Sequence, residues 1–459
     1  RKKGGRIVIE YFSMEDLDKV RQAMMNEAQH IEDDTATSEQ RALLKVLHQY
    51  STVEGIHQER LLTIIPVPYG ENRAWMTPAD VRSWLQGRPR SRPIAAALEA
   101  FGRRADLEAV VSQYDAAIAA FAAGDGSKFQ GLAGRLRALN PAAVPAQSRI
   151  DTELRYNRVR PFHWASLVYF LAALAFLMAL VFRSNKAWGA ALAVHSAAVG
   201  LTIYGYVMRW IIGGRYPLSN HYESMIMCAF AAGLVVIVLE LVLNAKSIIG
   251  LSGALVASVL LVLANKVPSF AEQGFMAPLV PALQTVWMTI HVPVIMTGYA
   301  LGMLLMVLGH IQLVRGFSKK ASPDETKRLD GILHRVLQLT VLFLLGGIVL
   351  GAVWAGEAWG RPWGWDMKET WSLITLLAYL AILHARFLGV LRAVGTSIAS
   401  LAAFQIMILT YYGVNFIFGK GLHTYGFGAG EMWPLIVFFG VEAVFVAVSG
   451  ILHLRRGDK

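Results

Sequence analysis

Cysteine is almost absent from this sequence, and charge is scarce. The single cysteine among 459 residues is Cys228, so a disulfide framework, a cysteine-rich zinc cluster and a thiol relay all lack partners. No Cys-x-x-Cys-His segment occurs, which excludes a c-type cytochrome. Charged residues make up 16% of the chain and hydrophobic ones 55%, with a positive mean hydropathy. That balance excludes an ordinary soluble protein and reads as a membrane protein. The formal net charge of +11 raises the question of nucleic acid. No basic tract with interleaved aromatics stands out, however, and the basic residues fall heavily between apolar runs, where they act as an orientation signal. No nucleic-acid partner is expected. Arg1 is not an initiator methionine and no cleavable signal pattern precedes it, so the expectation is that N-terminal sequence is missing.

Residues 1–160 differ in character from the rest. Helical patterns such as Ser38–His48 and Ile94–Phe121 alternate with turn signals at Pro66, Pro68, Gly70 and Pro89, and an Ala/Pro linker spans Ala142–Gln147. No run here could cross a bilayer, so the unit reads as soluble and mainly helical. Its His30, His48 and His57 are scattered on polar helical faces and define no ligand set. From 161 onward the chain becomes a series of runs of about 20 apolar residues, the length a spanning helix needs. They fall at about 164–182, 188–208, 224–243, 248–264, 292–314, 333–354, 371–391, 397–418 and 432–453. The fold class expected is therefore α, a polytopic helical membrane bundle of nine spans (161–459) with an N-terminal mainly helical extracytoplasmic domain (1–160). Arg315, Lys319, Lys320, Lys327, Arg328 and Arg335, then Arg386 and Arg392, then Arg455, Arg456 and Lys459 mark three cytoplasmic ends. Counting alternately from them puts the loop at 354–371, the 419–431 loop, the 265–291 segment and the 213–222 loop on the outer side.

What is present in excess is tryptophan. The segment Trp354–Trp371, WAGEAWGRPWGWDMKETW, holds five tryptophans in eighteen residues, with an arginine, a lysine and three carboxylates. An aromatic belt explains one or two tryptophans per interface. Five of them, with Gly356, Gly360 and Gly364 allowing close backbone approach, fit a platform for a flat apolar ligand better. Two histidines share this outer face, His291 at the end of the fifth span and His423 in the 419–431 loop. Paired imidazoles are common axial ligands of low-spin haem iron. Lys420 and Arg361 are candidate partners for the propionates of such a ligand. His384 and His195 lie at similar depth within the seventh and second spans and could ligate one iron if their helices are neighbours; the competing reading has each bonding a serine or a carbonyl in the bundle. His310 and His334 sit near the cytoplasmic interface, where snorkelling is the simpler account.

The segment WGRPWGWDMKETW resembles the tryptophan-rich WGxxWxWDxKE motif of the haem-handling proteins of cytochrome c biogenesis. Together with GRYPLSNHYES at 214–224, GLHTYG at 421–426 and the flanking histidines, it is similar to the CcsA/ResC component of System II cytochrome c synthases; the System I haem lyase CcmF is a more distant relative. The resemblance covers about 150–453. It implies haem b as substrate and bound ligand, with His291 and His423 as external iron ligands. It also implies that Trp359, Trp363, Trp365, Asp366 and Trp371 belong to the haem-binding loop, and that His384 is an intramembrane ligand. In that family a CcsB-like partner half, fused or separate, generally supplies the second intramembrane histidine; the outer domain and the start at Arg1 suggest the C-terminal part of a fused CcsB–CcsA protein, so either that histidine lies on a segment preceding this one or His195 substitutes.

The function this implies is haem export to the outer face of a bacterial inner membrane and attachment to Cys-x-x-Cys-His motifs of an apocytochrome c, with a thioredoxin-like protein keeping thiols reduced. No residue stands out as general acid or base; Asp366 and Glu369 are available, and orienting Trp and Lys side chains is an equal reading of them. Two alternatives belong to other classes. A b-type electron-transfer cytochrome usually pairs histidines 13 or 14 residues apart on one helix, about one leaflet of rise, and none of the nine histidines from His163 onward is so spaced. An exporter of another amphiphile gives no reason for imidazoles on both flanks of the tryptophan loop.

Overall fold

The computed structural model describes residues 65–69, 72–88, 98–99, 104–128, 130–131, 147–243, 245, 247–271, 274, 276, 281–317, 322–418, 423 and 432–455. His30, His48, His57, the Ser38–His48 pattern, residues 142–146 of the linker and Lys420 fall outside them. The chain divides into two compact units, Arg1–Ala146 and Gln147–Lys459.

In the first unit, β1 (Ile65–Tyr69) pairs antiparallel with β2 (Asn72–Met76), Ile65 facing Met76 and Tyr69 facing Asn72. The sequence marked Pro66 and Pro68 as turn signals, but both lie within β1. A two-stranded sheet has only edges, and an edge strand tolerates proline because half its N–H groups need no ladder partner. Two helices follow, α1 (Pro78–Leu85) and α2 (Arg104–Ala122). Thr77 starts α1 with a capping box: its hydroxyl accepts from the Asp80 amide, and the Thr77 amide donates to the Asp80 carboxylate. An Arg82–Asp115 ion pair joins α1 to α2.

In the second unit, α3 (Gln147–Val159) is followed by nine helices, among the described residues, long and apolar enough to cross a membrane. These are α4 (Pro161–Phe182), α5 (Asn185–Gly213), α6 (His221–Leu243), α7 (Ile248–Lys266), α8 (Val286–Gly316), α9 (Pro323–Trp359), α10 (Met367–Phe387), α11 (Ala393–Ile408) and α12 (Trp433–Arg455). The chain is thus a multi-pass helical membrane protein, the only architecture apart from a closed barrel that satisfies every backbone group in hydrocarbon. α11 continues as a π-helix over Leu409–Phe418. α4, α5, α6 and α7 pack on one another, and α8 is the hub, lying along α9 and also touching α6, α7 and α11.

Close approach of α8 and α9 requires glycine. A Cβ on Gly347 would fall 2.9 Å from the Ile295 backbone, and one on Gly351 would fall 2.8 Å from His291 Cε1. α9 therefore presses its glycine face onto the part of α8 that carries His291.

Candidate functional site

The tryptophan segment is mostly helix. α9 runs on to Trp359 and stops at Gly360 in a left-handed conformation (φ 70°), a common helix terminator. α10 begins at Met367, so the irregular part is only 360–366. Asp366 caps α10: its Oδ1 accepts from the Glu369 amide at 2.9 Å, and Glu369 Oε2 reaches back to the amides of Asp366 (3.3 Å) and Gly364 (2.6 Å). Asp-x-x-Glu here is a capping box, and it holds the loop shut over the helix end.

Trp354 is the floor of the site. It is 2% exposed and donates its indole N–H to the Ala282 carbonyl at 3.0 Å. The His291 ring lies parallel to it (1° between planes, 6.1 Å between centroids), and the His423 ring lies 5.6 Å from it. One indole thus contacts both histidines that the sequence singled out. Trp359 packs edge-on against His423 at 4.7 Å. Trp363 lines the same cleft and meets Trp365 edge-on at 5.7 Å. Trp365 is 69% exposed and has φ of 57°, a conformation costly for a bulky residue. Trp371 stacks on Phe418 at 6.0 Å, and its carbonyl accepts from Thr375 and Thr410; it braces α10 against the π-helix.

Each of the two histidines is anchored by Nδ1. His291 Nδ1–H donates to the Gly347 carbonyl at 2.8 Å, and His423 Nδ1–H donates to Asp366 Oδ2 at 2.5 Å. Among the described residues neither Nε2 has a hydrogen-bond partner. A donated Nδ1–H fixes the tautomer in which Nε2 carries the lone pair, the usual arrangement of a metal-bound imidazole. Burial works to raise the Asp366 pKa. The hydrogen bond from His423, reinforced by the Glu369 and Lys368 amides, outweighs it and holds the carboxyl below the usual carboxylate range. Asp366 therefore stays ionised and keeps the His423 tautomer set. Asp366, Glu369 and His423 bring ligand atoms within 4.8 Å of one another, but the carboxylates are committed to the cap and to His423.

The cleft these residues line has about 1050 Å³ of free space, its open mouth included. Its walls come from α6, α8, α9, α10 and the π-helix: Met288, Val292, Ile295 and Tyr299 on one side, Leu218, Tyr411 and Trp363 on others. Both Nε2 donors and the apolar, aromatic walls fit an iron porphyrin.

The structure also brings in residues that the sequence reading passed over. His221, at the start of α6, lies in the cleft wall against Tyr411 (4.5 Å), Phe270 (5.0 Å) and Phe416 (4.9 Å). Its signal is the GRYPLSNHYES stretch, which as a sequence serves only as a family mark. A buried ion cluster fixes that stretch. Glu223 accepts from Arg209 at 2.8 Å, from Arg215 at 3.1 Å, and from the amide and hydroxyl of Ser219, both at 2.8 Å. Lys368 also lines the cleft. Arg361 instead pairs with Glu369 at 3.5 Å, its guanidinium lying against Gly364.

His384 and His195 are not brought together. His384 is exposed on α10, a helix packed on α9 and α11, and its Nδ1–H donates to the Leu380 carbonyl of its own helix at 2.8 Å. His195 is fully buried on α5, which packs on α4, α6 and α7. Its Nε2–H donates to the Gly233 carbonyl at 3.0 Å, and Tyr169 and Phe176 flank its ring at 5.2 and 6.0 Å. His310 bridges α8 to α12 through Glu442 at 3.2 Å. His334 lines a second cleft with Asp330, Arg386 and Arg392.

Comparison with known proteins identifies the family. Residues 218–423, from the cleft wall to the second anchored histidine, match the Cytochrome C assembly protein family. Cytochrome c biogenesis protein CcsA of Guillardia theta is 36% identical over 246 residues, covering 48% of this chain and 79% of that protein. CcsA of Thermosynechococcus vestitus is 32% identical over 307 residues, covering 57% of this chain and 95% of that protein. CcsA of Chlamydomonas reinhardtii is 35% identical over 230 residues, covering 48% and 64%. The chain belongs to the CcsA family of cytochrome c biogenesis proteins, and its role is in cytochrome c maturation.

Proposed function

We propose that this chain carries haem b to the extracytoplasmic face of a bacterial inner membrane and holds it there, between His291 and His423, for covalent attachment to an apocytochrome c. The observation that carries the reading is the pair of anchored imidazoles: both Nδ1–H groups are spent on fixed acceptors, neither Nε2 atom has a hydrogen-bond partner among the described residues, and one indole contacts both rings. Bis-imidazole ligation holds a porphyrin rigidly and sets the potential of its iron. The attachment itself is an addition. Each cysteine thiol of a Cys-x-x-Cys-His segment adds across a vinyl group, forming one S–C bond as the C=C π bond is lost, and the thiol proton ends on the terminal vinyl carbon. No electrons enter or leave. The protein's contribution is to fix one partner so that the addition becomes effectively intramolecular. The histidine of the incoming segment then replaces one of the two iron ligands, which releases the product.

The exposed His384 belongs to an earlier stage. We place haem entry at that level, with a second histidine supplied by a CcsB-like partner half. A thioredoxin-like protein would keep the acceptor thiols reduced. The tryptophan loop and the N-terminal domain lie outside in this reading, which the distribution of lysine and arginine supports.

The test is haem content of the purified chain with His291→Gly and His423→Gly, each with and without added imidazole. Loss of the bis-imidazole spectrum in each variant, restored by imidazole, supports the reading. A wild-type chain that takes up no haem defeats it.

A further inference from the structure

Lys368 is the one lysine or arginine among the described residues lining the cleft, and its ammonium makes no ion-pair contact with a carboxylate among them. It sits in the first turn of α10, two residues past the cap at Asp366. There the helix dipole presents its positive end, and a cation opposes it. The side chain does not escape to solvent. Its Nζ donates to the Thr410 carbonyl at 2.9 Å and to Asn415 Oδ1 at 3.2 Å, and lies 5.9 Å from the centre of the Tyr411 ring. Both acceptors are neutral, and no carboxylate lies within ion-pair distance of Nζ among the described residues. An ammonium carries three N–H donors, so one remains for a ligand.

The anchorage is stiff. Thr410 and Asn415 both belong to the π-helix, and the Thr410 hydroxyl is itself tied to Thr375 at 2.7 Å and to the Trp371 carbonyl at 3.0 Å. π-helical segments are rare and concentrate at functional sites. This one delivers a carbonyl and an amide oxygen to a single lysine.

We infer that Lys368 is the anchor for a carboxylate of the ligand, a haem propionate, and so sets which way round the porphyrin lies. The inference rests on the haem reading above and adds orientation to it. Propionates and vinyls occupy opposite edges of protoporphyrin. A propionate fixed at Lys368, at the junction of α10 and the π-helix, turns the vinyl edge away from that wall, where incoming thiols can reach it. Arg361 is committed to Glu369 and does not line the cleft.

The test compares haem b with its dimethyl ester, which keeps iron and vinyls but has no carboxylate. Each is titrated into the full chain in lipid nanodiscs and followed by the Soret band. A charge-assisted hydrogen bond is worth about 10- to 100-fold in affinity, so the wild type should prefer haem to the ester by that factor. Lys368→Met should bind both porphyrins with the ester's affinity, and Lys368→Gln should behave alike; an unchanged Soret maximum with the ester shows that the cleft is intact. Equal affinity of the wild type for the two ligands overturns the inference, and so does full discrimination retained by either variant. If His291→Gly abolishes binding while Lys368→Met still discriminates, the haem reading stands and the lysine assignment falls. If the wild type gives no bis-imidazole spectrum with either porphyrin, both fall together.

Discussion

Asp366 has two acceptor oxygens with separate tasks, and a single substitution can split them. Oδ1 caps α10 by accepting from the Glu369 amide, and Oδ2 accepts from His423 Nδ1. Asparagine caps helices about as well as aspartate, so Asp366→Asn should cost only a few tenths of a kcal/mol at the helix end. Opposite His423, however, the amide can present its NH2 group. That favours the tautomer with the proton on Nε2, which cannot ligate iron. Changes to the partner of a metal-bound histidine typically cost about 10- to 100-fold in metal affinity, so Asp366→Asn should bind haem that much more weakly at nearly unchanged thermal stability. Asp366→Ala should lose the same affinity and a further ~1 kcal/mol of stability with the cap. Soret titration and thermal unfolding of the two variants in detergent separate the terms. Wild-type haem affinity in Asp366→Asn would refute the claim that this carboxylate sets the His423 tautomer.

pH gives a related expectation. The folded Asp366 carboxyl is held below its ordinary range, so its stabilisation is complete at neutral pH. It is lost only as the pH falls below about 3.9 toward the lowered folded value; loosening of the cap already at pH 6 would contradict this. Gly351→Ala puts a Cβ 2.8 Å from His291 Cε1 and should cost about 1–3 kcal/mol of stability by overpacking. Haem binding should weaken too, and imidazole should fail to restore it because the displaced ring still fills the site. Glu223→Gln leaves Arg209 and Arg215 without their shared carboxylate and should cost about 3–5 kcal/mol; thermal unfolding within about 0.5 kcal/mol of wild type would show the cluster to be dispensable. His384→Ala, at an exposed position, should change stability by no more than about 0.5 kcal/mol and leave Soret titration of the cleft unchanged.

The helices were legible because hydrocarbon permits little else. Each apolar run had to be a helix, and the nine runs correspond to α4 through α12, with α11 carried on by its π-helical extension. Their ends were less legible. Trp354 reads as the start of a loop, yet α9 continues to Trp359, since a single Gly356 does not break it and the chain turns left-handed only at Gly360. Asp366-Met-Lys-Glu369 is a readable capping box, yet acid–base chemistry and the haem-binding loop are what its carboxylates suggest first. The anchoring of His291 was not readable at all. Its acceptor is a backbone carbonyl on another helix, reached only because Gly347 and Gly351 let α9 come close, and backbone carbonyls leave no mark in a sequence. The fate of Lys368 was hidden for the same reason, since Thr410 supplies a carbonyl and the π-helix that presents it has no simple signature.

The histidines also differ in what holds them, and the difference orders the path. His291 is locked by a carbonyl of a different helix and His423 by the carboxylate that caps α10, so neither ring can turn without disturbing helix packing. Among the described residues, His384 is held only by a carbonyl one turn back on its own helix, with its face exposed. A ligand captured at His384 by the described residues of this chain would have one iron bond. The same ligand in the cleft would have two fixed imidazoles, an indole floor and the Lys368 ammonium. On the haem reading proposed above, the isolated chain would hold its ligand more tightly in the tryptophan cleft than at His384, and a partner half that supplies a second imidazole would raise the affinity of the His384 level. Haem stoichiometry of the isolated chain decides this step: one equivalent, lost with His291→Gly and kept with His384→Ala, is the expected result, and an equivalent that follows His384 instead would reverse the direction argued here.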